Sequence, residues 1–97
     1  MAGNPDLQSA FDAAIAQVGQ CIAAGMVTSK GEPAAPYLEK LQRELHEERT
    51  RAVQTAVFDR AWFQTTLRWL VDWAPDDDLT LIAALGRIAR AAPRALP

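Results

Sequence analysis

An all-α fold of three to four helices, packed as a bundle, is what this sequence predicts. Three observations predict it. Apolar residues recur at spacings of three and four, and no segment alternates with the period of two that a strand requires. Alanine dominates an apolar share of 49%, and alanine is the strongest helix former. The prolines fall at the edges of the periodic segments and never inside them.

The first helix is expected over 5–25. Asn4 suits the N-cap, Pro5 the first helical position and Asp6 the positive dipole end. Leu7, Phe11, Ala14, Val18, Cys21 and Gly25 then mark one buried stripe, widened by Ile15 and Ile22. Gly25 is a natural terminator. Residues 26–35 read as a loop, with Gly31 and Pro33 among Thr28, Ser29 and Lys30.

A helix or broken helix is expected over 36–73. From Tyr37 the apolar pattern is helical again through Leu38, Leu41, Leu45, Ala52, Val53 and Ala56. The charged run Glu39–Arg51 reads as solvated, with Glu39–Arg43 and Glu47–Arg51 as i,i+4 pairs. Beyond Val57 the pattern widens: Phe58, Trp62, Phe63, Leu67, Trp69, Leu70, Val71 and Trp73 cover most of the circumference. Only Arg60, Gln64, Arg68 and Asp72 form a polar strip. An undivided helix here would be about 57 Å long at 1.5 Å per residue. A compact domain of this length is a little over about 30 Å across. Either the helix breaks near Asp59, where that residue could cap a new one, or the chain is extended and assembled with partners. Pro75 ends the segment. A last helix is expected over 77–92, opened by Asp76, Asp77 and Asp78 and stopped by Pro93, with 93–97 as a tail.

The arrangement expected is an antiparallel helical hairpin plus a C-terminal helix, in one domain over 1–97. Such a length offers one modest core, burying roughly 60–70% of the unfolded surface. Alanine contributes little buried area, so oligomerisation is expected to complete that core.

Composition argues against several functions. A formal net charge of −2 gives no field toward nucleic acid or anionic lipid. The C-terminal arginines Arg87, Arg90 and Arg94 are a small basic footprint. No apolar run reaches membrane-spanning length. The first residues lack the basic and apolar regions of a signal peptide. Cys21 is the single cysteine, which suits a reducing compartment. A cytoplasmic location is the expectation.

Candidate chemistry is sparse. His46 has Arg43 and Arg49 three residues away on either side, where a helical metal site wants a carboxylate. It reads as a surface histidine. Cys21 lies on the apolar stripe with no cation near it in sequence, and reads as a small buried hydrophobe. The Asp76–Asp78 run lacks the alternate ligand spacing and turn glycine of a calcium loop. No catalytic, metal-binding or cofactor-binding residue is expected, and no cofactor.

What remains is Phe58, Trp62, Trp69 and Trp73, which share one face at near-heptad spacing. They are either plain core or core shared with a partner chain, since aromatic residues are enriched at interface hot spots. They are the candidate partner-binding residues. The function expected is a non-catalytic protein–protein interaction module: an accessory subunit, adaptor or inhibitor. Its expected partner is a second copy, as a homodimer, with a different protein also open. A small helical enzyme or ligand-binding protein with a site between subunits is the alternative. Nucleic-acid contact through the C-terminal arginines is a weaker one.

Overall fold

Four helices follow one another along the chain: α1 (Pro5–Ala23), α2 (Ala35–Thr55), α3 (Arg60–Trp73) and α4 (Thr80–Ala91). The computed structural model describes residues 5–55, 57–75 and 79–92. Asn4, Asp76, Asp77, Asp78 and the segment 93–97 lie outside them, so the caps and tail expected there are outside the described structure. Among the described residues there is no strand, and Val27 and Pro33 form one isolated antiparallel bridge.

The apolar spacing in each helix becomes a contiguous core. Leu7, Phe11, Ala14 and Val18 of α1 meet Leu38, Leu41 and Leu45 of α2, Leu70 and Trp73 of α3, and Leu81, Leu85 and Ile88 of α4. α1 packs against both α2 and α4, and α3 packs against α4. Along α1 and α2, Asp12 pairs with Arg49 and the Ile15 carbonyl accepts from Gln42 Nε2.

The first helix ends at a glycine turn. Gly25 takes a positive φ of 71°, the left-handed conformation that costs glycine least. The turn it makes lets Gly25 N–H reach the Ile22 carbonyl and Met26 N–H reach the Cys21 carbonyl, both at 3.1 Å. Two carbonyls left open by the end of α1 are thereby satisfied. The following loop is closed around Thr28, a buried hydroxyl. Thr28 Oγ1 accepts from the N–H groups of Lys30 and Glu32, and its own N–H donates to the Glu32 carbonyl. Ser29 N–H donates to the Trp73 carbonyl at 2.8 Å, tying the loop to the end of α3.

The chain breaks between Thr55 and Arg60. Asp59 is the N-cap of α3, its Oδ1 accepting from Trp62 N–H at 2.9 Å. Phe58 therefore precedes α3 and does not share its helical face. The break lets the molecule fit extents of 45 × 26 × 17 Å with a radius of gyration of 13.5 Å. The last helix begins at Thr80 behind Leu79, which makes no side-chain cap, three residues later than the boundary expected from sequence. The ion pairs also differ from those expected on α2. Lys40 pairs with Glu44, and Arg51 with Glu48 and Asp59.

Candidate functional site

The aromatic residues of α3 are placed by a helix that runs back along α2. Reading α2 backward from Arg51 through Glu44 and Lys40 to Tyr37, the contacts on the other side advance from Asp59 through Trp62 and Trp69 to Trp73. Three kinds of contact share this seam.

At its far end is an aromatic stack. Tyr37 lies on Trp73 with ring centroids 5.1 Å apart and planes 20° from parallel. Trp69 meets Trp73 edge-on at 5.3 Å and tilts against Tyr37 at 6.0 Å. Offset and edge-on geometries suit the ring quadrupoles. Lys40 Nζ sits 4.7 Å above the Trp69 ring while it pairs with Glu44, a cation–π contact on a partly open surface.

In the middle, Trp62 Nε1 donates to Glu44 Oε1 at 2.9 Å. At the near end, Phe58 packs on Phe11 at 6.5 Å and on Phe63 at 5.7 Å, with the Arg60 guanidinium 5.6 Å from its ring. The four candidates therefore do not act as one patch. Trp69 and Trp73 stand together with Tyr37, Trp62 is tied separately to Glu44, and Phe58 belongs to a phenylalanine cluster.

Their exposure also differs. Trp73 is buried at 7%, whereas Phe58, Trp62 and Trp69 are half-buried, as are Phe63 and Leu67. Among the described residues, the buried Trp73 Nε1 has no hydrogen-bond acceptor. On the open side of α3, Val71 is 56% exposed. It shares a depression of about 550 Å³ with Leu67, Gln64, Arg68 and Asp72.

The electrostatics of the seam centre on two glutamates of α2. Burial pushes the Glu44 carboxyl up, but hydrogen bonds from Lys40 and Trp62 and the nearby charges of Lys40 and Arg43 outweigh it. Glu44 titrates below the ordinary carboxylate range. Burial pushes Glu48 up, and the attraction of Arg51 does not compensate, since Asp59, Glu47 and Glu44 oppose it. Glu48 is only 8% exposed. The charged run of α2 is thus not wholly solvated, because Glu48 falls in the same row as Leu41 and Leu45.

The other candidates lie apart from the seam. His46 is exposed. Cys21 is buried, with Gln17 Nε2 at 3.9 Å from its sulfur. Among the described residues no group of three or more His, Cys, Asp or Glu side chains is placed to hold a metal ion. A polar cleft of about 130 Å³ lies between the Thr28–Glu32 turn and Tyr37, Asp72 and Trp73. Arg87 borders a groove of about 160 Å³ between α1 and α4. No described helix is long and apolar enough to cross a membrane.

Sequence reasoning missed Tyr37 and Glu44 as partners of the tryptophans. Neither carries a local signal, because each lies 18 or more residues from the indole it meets. Comparison with known proteins adds no relative: no family model, curated protein or solved structure matches this chain.

Proposed function

We propose that this chain is a non-catalytic interaction module of the cytoplasm, an accessory subunit, adaptor or inhibitor that works through α3. Its partner is a second copy of itself. The hairpin of α1 and α2 is the platform for α3, and the pairs Asp12–Arg49 and Ile15–Gln42 support an antiparallel arrangement for it. One observation carries the reading. Five large apolar residues along and just before α3 (Phe58, Trp62, Phe63, Leu67 and Trp69) stay half-buried after the molecule has closed its own core. Val71 on the neighbouring side is more open still. A helix that keeps this much partly wet apolar area gains from a further neighbour.

Charge supports a second copy as that neighbour. Arg68 and Asp72 stand one turn apart on one flank of the depression, both exposed, and neither forms an ion pair among the described residues. Across a two-fold axis, antiparallel copies of α3 set each Arg68 against the other copy's Asp72, as an isologous interface requires.

Light scattering after size exclusion, over a range of concentrations, tests the reading. A mass approaching that of two chains is expected, with Trp69→Ala weakening association by about 2 kcal/mol if Trp69 is a hot spot. A parent that stays monomeric, with a melting temperature independent of concentration, refutes self-association.

A further inference from the structure

Nothing in the covalent chain forces α2 and α3 apart. From Tyr37 to Ala74 the sequence holds neither glycine nor proline, the two residues least compatible with a helix interior. The break is held by contacts instead. Asp59 caps α3 through Trp62 N–H and accepts from Arg51 Nη1 at 3.3 Å. Trp62 reaches Glu44, and Trp69 and Trp73 reach Tyr37. All of these except the cap itself join α3 or its lead-in to α2. The α2 of a second copy offers the same groups in the same geometry.

The break also leaves apolar surface bare beside it. Val53 is 40% exposed and Val57 60% exposed. They are four residues apart, so on a helix running straight through the joint they would lie one above the other. In the closed chain nothing covers them fully.

We propose that the link between α2 and α3 is a domain-exchange hinge. α2 and α3 join into one straight helix, and α3 with α4 of each copy packs onto α1 and α2 of the other. This inference rests on the self-association reading above and gives it a specific form. Trp62, Trp69 and Trp73 keep their contacts, now with the second copy, so the core is conserved and the balance is set at the hinge. Capping by Asp59 favours the closed chain. Helix continuity, and contact between the Val53–Val57 strips where the straight helices cross, favour the exchanged dimer.

Size exclusion with light scattering on the full chain, run from dilute to concentrated solution, tests the hinge. The parent is compared with Asp59→Ala, Asp59→Asn, Val57→Pro and Val71→Glu. Asp59→Ala removes the cap and supplies a strong helix former, so its dimerisation constant should rise about tenfold or more. Asp59→Asn keeps a good cap and should behave as the parent does. Val57→Pro forbids a helix through the joint and should lower the constant about a hundredfold or more. An exchanged dimer should also persist for hours on dilution, because separation unpacks both cores. X-ray scattering should show it longer than the 45 Å monomer.

If the Asp59 and Val57 variants dimerise as the parent does while Val71→Glu does not, the copies meet through exposed faces. Exchange is then wrong and self-association stands. If the parent and Asp59→Ala are both monomeric at every concentration, both readings fall. Should Val57→Pro fail to fold by circular dichroism, the contrast between Asp59→Ala and Asp59→Asn decides: equal constants overturn the hinge.

Discussion

Glu44 and Glu48 are one turn apart on α2, yet their surroundings push their protonation in opposite directions. Glu44 receives two hydrogen bonds and holds its charge below the ordinary range. Its depressed pKa stabilises the fold above the unfolded value, and that stability is lost as pH falls through the folded value. Trp62→Phe removes one of those bonds and should cost about 1.5–3 kcal/mol at neutral pH, as expected for a bond to a charged acceptor. Denaturant titration should show the deficit shrinking as Glu44 protonates in acid. Glu48 is the reverse case. Its raised pKa means the native state binds the proton more tightly, so ionisation costs stability as pH rises through the folded value. Glu48→Gln should therefore raise the melting temperature at pH 7. The gain should fade on acidification and vanish below the unfolded glutamate value of about 4.3. A variant that melts lower than the parent at pH 7 would mean that the Arg51 pair outweighs burial.

At the scale of elements, glycine separates where helices end from where they continue. Gly25 holds φ at 71° to close α1, and a β-carbon there is strained despite open space around it. Gly25→Ala should cost about 1–2 kcal/mol. Gly86 sits inside α4, where an added β-carbon meets only the flexible Arg90 Nη1 at 3.5 Å. Gly86→Ala should stabilise by about 0.5–1 kcal/mol, because alanine loses less freedom in a helix. Chemical denaturation of the two variants should give shifts of opposite sign. Gly25 marked the end of α1 in sequence only approximately. The helix stops at Ala23, two residues before the expected boundary, and Gly25 is exposed in the turn beyond it instead of continuing the buried stripe. The closed turn around Thr28 was not legible in sequence, since Ser29 N–H ties it to the Trp73 carbonyl, 44 residues further along the chain.

For the whole molecule, α1 packs against both α2 and α4, and α3 joins through α4. Phe11 is fully buried and meets Phe58 from the joint between α2 and α3. Phe11→Ala should cost about 3–5 kcal/mol, a large share of the roughly 5–15 kcal/mol of a typical domain. Because one core links all four helices, the loss should appear as a single shifted transition by both circular dichroism and tryptophan fluorescence. Separate transitions would mean that α3 and its tryptophans fold apart from α1.

By itself the sequence determined the helical class, the buried stripe of α1 and the point near Asp59 where a long helix could break. These depend on periodicity, caps and breakers, which act within a few residues of chain. Only the tertiary structure decided what the aromatic residues do. Phe58, Trp62, Trp69 and Trp73 read as one helical face because a periodic pattern assumes an unbroken helix. The cap at Asp59 removed Phe58 from that helix and turned α3 back along α2. Tyr37 then covered Trp73, and Glu44 accepted the Trp62 indole. Those pairings span 18 to 36 residues of sequence, and local pattern carries no information at that distance.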